Sequence, residues 1–298
     1  MNNIYFISDI HLDPSNSEVT DKFINFMLEK SSDMKELYIL GDLFEFWIDD
    51  KYDIVQNNII ISTLNKISKN GTKVFLTHGN RDFLIGKKFT KITNIEILPE
   101  NYILNLENTR VLITHGDLLC TDDIDYQKFR KFIRNRVTLK IFNLLSNKIK
   151  TKVASYLRGK SKKITSQKPD NIMDVSNETV LDFYEKFKTN IIIHGHTHRK
   201  NIHKTKNNGK SYIRYVLGDW HNDPSYIIYR NNKIELFDIS SGNEVLISSK
   251  VMPKPVANEI PEMKMYKMPL NKKNLDKVKL VITSNKKLPE GHPAEGEP

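Results

Sequence analysis

The 298 residues predict an α/β fold: a two-sheet β sandwich flanked by helices, with a basic helical segment inserted into the chain. Three observations lead there. Short apolar, β-rich runs alternate with helix-like stretches from the N-terminus to about residue 195. Further strand-like runs follow one another closely after residue 210. Between residues 128 and 163 the alternation is broken by a long basic stretch with apolar residues at helical spacing.

The first runs are Ile4–Ser8, Leu37–Leu40, Val74–Thr77, Val111–Thr114 and Ile191–Ile193, each ending in a polar turn. Asp21–Glu29, Ile54–Lys69 and Asn177–Lys188 read as the helices between them. Continuous apolar runs of this length suit strands buried on both faces. Ser211–Leu217, Ser225–Tyr229 and Ile234–Ile239 are expected to form a second, antiparallel sheet, with Asn231-Asn232 as a hairpin turn.

From Lys128 to Lys163 there are thirteen Lys or Arg residues and no acid. Apolar residues recur every fourth position, from Phe129, Ile133 and Val137 to Ile141, Leu145, Ile149, Val153 and Leu157. A row at that spacing drifts about 40° per step around a helix, so one straight helix cannot keep it on one face. Two helices breaking near Ser146-Asn147 are expected. Charge of one sign beside an apolar stripe resembles a helix lying on a membrane surface. After Ser249 the chain holds seven of its eleven prolines, so residues 246–298 are expected to be a largely flexible extension with at most a short strand at Lys279–Thr283.

The net charge of +10 suits an anionic partner, whether nucleic acid, a phosphate-rich substrate or an acidic membrane face, although codon usage alone can inflate lysine. A single cysteine, Cys120, excludes an intrachain disulfide and a thiolate metal site. The first residues do not read as a signal peptide, and no run approaches the roughly 18 apolar residues of a membrane span. A cytoplasmic protein, in solution or on a membrane surface, is expected.

The chemistry lies in the turns after the apolar runs: Asp9-Ile10-His11, Gly41-Asp42, Gly79-Asn80-Arg81-Asp82, His115-Gly116-Asp117 and Gly195-His196-Thr197-His198. Any one of these is common. All five follow strands at the corresponding end, where the loops of an α/β sheet converge on one crevice. Their carboxylate, imidazole and amide donors suit Mn, Fe or Zn, whereas calcium prefers an all-oxygen shell.

In this order the five blocks resemble the calcineurin-like metallophosphoesterase superfamily. That resemblance implies a two-metal centre in which Asp9, His11, Asp42 and His198 hold one ion and Asp42, Asn80, His115 and His196 the other, with Asp42 bridging. It implies two Mn2+ ions, other divalent transition metals being possible. Arg81 stands where the superfamily usually has a His or Glu able to protonate a leaving alkoxide. Arginine stays protonated but can clamp a phosphate, so a pyrophosphate substrate is favoured.

A narrower likeness adds Trp47, His115-Gly116-Asp117-Leu118-Leu119-Cys120-Thr121-Asp122-Asp123, Tyr126-Gln127, Phe129-Arg130, Ile172-Met173-Asp174-Val175 and Leu217-Gly218-Asp219-Trp220. These residues are similar to the UDP-2,3-diacylglucosamine hydrolase family, pyrophosphatases of lipid A synthesis. The resemblance implies water attack on the α-phosphorus at the dinuclear centre, giving UMP and 2,3-diacylglucosamine 1-phosphate. Asp42, Asn80, Arg81 and His196 would be catalytic. Asn80, Arg81, Asp123, Tyr126, Arg158, Ser161, Thr165, Lys168 and His196 would contact the substrate, a nucleotide-linked acylated sugar.

The same resemblance implies a metallophosphoesterase domain over residues 1–245, with an acyl-binding cap at about 124–168 whose basic exterior faces the anionic inner face of the bacterial inner membrane. Asp82 and Asp117 are expected to orient other groups. A nuclease of the superfamily would need an aromatic-lined groove, so no nucleic-acid partner is expected. A non-catalytic scaffold would typically have lost ligands that this chain keeps.

Overall fold

A computed structural model describes residues 3–107, 109–165 and 172–251, with backbone alone at 158 and 160–165. Lys168 and the strand expected at Lys279–Thr283 lie outside the described residues.

The chain opens with β1 (Asn3–Ile7), α1 (Ser17–Lys30), β2 (Met34–Ile39), α2 (Asp50–Gln56), α3 (Asn58–Lys69) and β3 (Lys73–Thr77). Then come α4 (Lys87–Thr93), β4 (Glu96–Leu98), β5 (Asn101–Leu106) and β6 (Thr109–Thr114). The cap helices α5 (Ile124–Ile133), α6 (Arg136–Leu144) and α7 (Asn147–Thr165) follow, with α8 (Asn177–Phe187) after them. The chain continues through β7 (Ile191–His194), β8 (Asn201–Asn207), β9 (Lys210–Val216), β10 (Ser225–Arg230), β11 (Lys233–Asp238) and β12 (Val245–Val251).

Seven strands form one sheet in the order β12-β11-β10-β1-β2-β3-β4, and five form another in the order β5-β6-β7-β9-β8. Successive side chains on a strand point to opposite faces. On β1, Phe6 enters the apolar layer between the sheets, where Leu40, Val111, Ile113, Ile193, Tyr215 and Ile227 also lie. Its neighbours Tyr5 and Ile7 face a layer shared with Phe23 and Met27 of α1 and Leu64 of α3. On the outer face of the second sheet, Leu112 and Ile192 pack with Val180 and Tyr184 of α8.

Local chemistry explains the helix boundaries. The Asn16 side chain accepts from the Val19 amide to start α1, whose buried Val19, Phe23, Phe26 and Met27 recur at helical spacing. The single helix expected over Ile54–Lys69 is two, broken at Asn57. There the Asn57 side-chain amide donates to the Asp53 carbonyl, while the Asp53 carboxylate accepts from the Ile48 and Asp49 amides. Asn231 and Asn232 both adopt left-handed backbone (φ 50° and 57°), as a two-residue hairpin turn between β10 and β11 requires.

The expected second sheet of three late antiparallel strands is corrected. β10 pairs antiparallel with β1, and β11 with β10, so both extend the first sheet, whereas β9 lies parallel beside β7 in the other. All but the last residue of β10 are buried, which suits a strand between two neighbours. Residues 246–251, expected in the extension, belong to β12, which pairs with β11 at the edge of the first sheet. The cap has three helices where two were expected. The break expected near Ser146-Asn147 falls at Leu145-Ser146, and Asn135 adds another by accepting the Val137 amide at the start of α6.

Candidate metal centre

Five loops leave the carboxyl ends of β1, β2, β3, β6 and β7 carrying the acidic, amide and imidazole side chains of the sequence motifs. β1, β2 and β3 run parallel in one sheet, and β6 and β7 run parallel in the other. Parallel strands deliver their ends to the same side, so the loops meet across the top of the sandwich.

The loops interlock. Gly79 has no room for a side chain, because a Cβ there would sit 2.1 Å from Asp42 Oδ1. At Gly195 it would sit 2.0 Å from Asp9 Oδ2. Glycine is what lets these backbones approach the carboxylates. The buried Asp82 carboxylate accepts from the Leu43 and Gly79 amides, both at 2.8 Å, tying the Gly-Asp loop to the Gly-Asn loop. The Arg81 amide donates to Asp42 Oδ1 and the His196 amide to Asp9 Oδ2. Asp9, His11, Asp42, His196 and His198 all have φ between 50° and 69°, an uncommon conformation for residues with a Cβ. Such strain concentrates at functional sites and is held by the packing around it.

The side chains converge as two overlapping groups. His11 Nε2 lies 3.3 Å from His198 Nε2 and 3.9 Å from Asp9 Oδ1. On the other side, Asn80 Oδ1 is 2.9 Å from both His115 Nε2 and His196 Nδ1, and those two nitrogens are 3.2 Å apart. Asp42 Oδ2 lies between the groups, 3.8 Å from His11 Nε2 and 3.7 Å from His115 Nε2. The seven residues expected as ligands are thus brought together.

This donor set fits a divalent metal centre. Two imidazole nitrogens facing each other at 3.2–3.3 Å repel through their lone pairs unless a proton or a cation lies between them. Asp9 Oδ1 is buried without hydrogen-bond geometry to any donor, although His198 Nε2 is 3.3 Å away. His115 donates from Nδ1 to the Leu40 carbonyl, which leaves Nε2 as the lone-pair atom facing the cluster. The charge distribution agrees. Burial alone would raise the Asp9 carboxyl, but His198, His115 and His11 outweigh it and hold it well below the usual carboxylate range. Burial and the neighbouring His115 push His196 down to about 4, so its ring is neutral. Burial also lowers His198, but the Asp9 carboxylate raises it to about 8.

Arg81 is partly exposed, with Nη1 2.8 Å from Glu45 Oε1 and Nε 3.8 Å from Asp42 Oδ2. Glu45 also reaches His11, its Oε2 lying 3.1 Å from Nδ1. Sequence reading missed Glu45, because its role depends on a loop conformation that no periodicity announces. It also missed Arg134, whose guanidinium donates to the Gly79 carbonyl at 2.7 Å and pairs with Glu100.

Among the residues expected to contact substrate, Asp123 caps α5 by accepting the Tyr126 amide. The Tyr126 ring lies 5.9 Å from that of His196, and its hydroxyl donates to Asp117. Asp117 also takes Arg130 Nε at 2.6 Å, which links α5 to the His-Gly-Asp loop. Arg158, Ser161 and Thr165 lie on α7, where only the backbone is described. Trp47 is buried against Phe44 and Phe89 and supports the fold beneath the loops.

The model of the calcineurin-like phosphoesterase family matches residues 3–200. The UDP-2,3-diacylglucosamine hydrolase of Proteus mirabilis (strain HI4320) is 39% identical over 231 residues, which are 78% of this chain and 96% of that protein. Those of Histophilus somni (strain 2336) and Haemophilus influenzae (strain PittGG) are 40% and 37% identical, over 74% and 76% of this chain and 93% and 94% of theirs. With this likeness and this donor set, the chain is a metal-dependent hydrolase of the calcineurin-like phosphoesterase family, within which it belongs with the UDP-2,3-diacylglucosamine hydrolases.

Proposed function

We propose that the chain hydrolyses the pyrophosphate of UDP-2,3-diacylglucosamine by water attack on the α-phosphorus, giving UMP and 2,3-diacylglucosamine 1-phosphate. The likeness to a hydrolase of that name, over 78% of this chain and 96% of that protein, carries the reading. Asp9, His11, Asp42 and His198 would hold one Mn2+ ion, and Asp42, Asn80, His115 and His196 a second. Ions there would supply Lewis-acid activation of water and of the phosphoryl oxygens.

The side chains account for the rest. Arg81 keeps donors beyond its bond to Glu45, and with Asn80 and His196 it would stabilise the charge growing on the phosphoryl oxygens. A guanidinium cannot give up its proton near neutrality. The leaving group therefore departs as a phosphate, which suits a pyrophosphate better than an alkyl ester. Asp123, Tyr126, Arg158, Ser161, Thr165 and Lys168 are assigned to the headgroup and phosphates.

The cap has a composition suited to lipid. Phe132, Val137, Ile141, Leu144 and Tyr156 are all more than half exposed on α5–α7. They would receive acyl chains or meet the bilayer. The surrounding Lys and Arg would each add about 1 kcal/mol of attraction to an anionic leaflet. Among the described residues no helix is long and apolar enough to cross a membrane, and we infer contact with the cytoplasmic surface of the bacterial inner membrane.

The test is incubation of the Mn-loaded protein with UDP-2,3-diacylglucosamine, with Asp42→Asn as control. UMP from the wild type alone is the expected result. Hydrolysis of a generic phosphodiester without release of UMP would keep the metal centre and remove the lipid assignment.

A further inference from the structure

Behind the Gly-His-Thr-His loop lies a cavity of about 340 Å³ that no part of the reaction above uses. Arg214 of β9 and Thr197 line it, with Asp174, Arg199, Lys200 and Asp223 among the other lining residues. Arg214 is only 7% exposed, so its charge is largely withdrawn from water. A buried guanidinium is normally paired with a carboxylate, because an unpaired buried charge is costly. Among the described residues Arg214 makes no ion pair, and its hydrogen bond is from Nη1 to His194 Nε2 at 3.0 Å.

That imidazole cannot balance the charge. His194 donates from Nδ1 to the Gly195 carbonyl at 2.8 Å and accepts from Arg214 at Nε2, which fixes the neutral tautomer. The acids around the cavity are engaged elsewhere. Asp174 pairs with Arg199 at 2.7 Å, and Asp223 pairs with Lys200, which also reaches Asp238 at 2.6 Å. Asp174 and Asp223, with Asp238, are thus taken up by Arg199 and Lys200, and among the described residues no carboxylate pairs with Arg214. The second unsatisfied group is the Thr197 hydroxyl, buried without a hydrogen-bond partner. It belongs to the residue between His196 and His198.

An unpaired guanidinium and an unpartnered hydroxyl at one cavity are what a tetrahedral oxyanion needs: planar charged donors and a further donor. We propose that this cavity is a second oxyanion site, taking inorganic phosphate or a phosphate monoester on Arg214 and Thr197. The proposal does not depend on the substrate assigned above. If that assignment holds, both products are phosphate monoesters.

The experiment is calorimetric titration of the Mn-loaded protein with inorganic phosphate. Two binding events are expected in the wild type, one at the metals and one at the cavity. Asp42→Asn should lose the first and keep the second. Arg214→Gln should keep the first and lose the second. Thr197→Val, which keeps the side-chain shape, should weaken the cavity event about fivefold, as loss of one hydrogen bond implies. A single event in the wild type overturns the proposal, as do two events in folded Arg214→Gln. If Arg214→Gln does not fold, an unchanged cavity affinity in Thr197→Val overturns it. UMP then separates the sources: displacement of phosphate from the cavity identifies a monoester ligand, and competition at the metals alone identifies inorganic phosphate.

Discussion

The five metal loops and the cap that follows them are built on opposite principles. In the loops, Asp9, His11, Asp42, Asp82 and His115 are buried and polar, held in one geometry by backbone amides and by glycines that leave no slack. In the cap, α5 and α6 bury no residue fully, and their large apolar side chains stand in the open. Polar bonds at the base of the cap join the two regions: Tyr126 and Arg130 to Asp117, Gln127 to the Asp117 and Cys120 carbonyls, Arg134 to the Gly79 carbonyl, and Lys150 to Asp49 at 2.7 Å. Loop positions are held by burial and hydrogen bonds, whereas the large apolar side chains of the cap are left exposed.

Substitutions can sharpen that contrast. Asp42→Asn, which weakens the carboxylate between the two groups, should lower turnover by on the order of a thousandfold or more, read by UMP release. Arg81→Ala should cost about 10²–10³ in kcat on a pyrophosphate, with a smaller loss on an ester whose leaving group is already acidic. If both ligand-loop changes were mild while cap changes were severe, the division of labour drawn here would be wrong.

The join between the regions should give intermediate effects. Lys150 is 4% exposed on α7, and replacing it with Met leaves Asp49 without its cation. A loss of about 1–2 kcal/mol is expected, less than for a fully buried pair because Asp49 still reaches water. Urea unfolding measures it. The same pair fixes a pH dependence. Burial would raise the Asp49 carboxyl, but Lys150 and the Lys51 amide more than offset this and lower it. A folded pKa below the unfolded value of about 3.9 gives stability that is present above that value and lost as pH falls through the folded pKa. Unfolding midpoints should therefore drop more steeply below about pH 4 in the wild type than in Asp49→Asn.

The smallest change in stability belongs to the cap surface. Leu144 is 88% exposed, so Leu144→Ser should alter stability by less than about 0.5 kcal/mol. The same variant should weaken binding to anionic vesicles, measured by sedimentation. Unchanged vesicle binding in Leu144→Ser and Ile141→Ser together would remove lipid contact from this face.

The sequence made the loops legible and the wiring between them less so. The ligand motifs stood out because unusual residue types followed continuous apolar strands, and Asn231-Asn232 because two adjacent left-handed residues favour Asn. Which sheet β10 joins was hidden, since pairing with β1 links residues more than 200 positions apart. β8, Asn201–Asn207, is largely polar at a sheet edge and so lacked the apolar signature of a strand. Glu45, Glu100 and Arg134 act through contacts that only the folded loops create.

The interlocking of Gly79 with Asp42 and of Gly195 with Asp9 also bears on synthesis. A chain growing from its N-terminus has Asp9, His11 and Asp42 early, but the imidazoles of His196 and His198 come after the whole cap has been made. Until then each group of donors is incomplete, and a metal ion captured early would be held by fewer ligands. Full-affinity loading should therefore mark the completion of the polypeptide through β7 and the turn beyond it, and a nascent chain arrested before residue 196 should release its metal readily to a chelator.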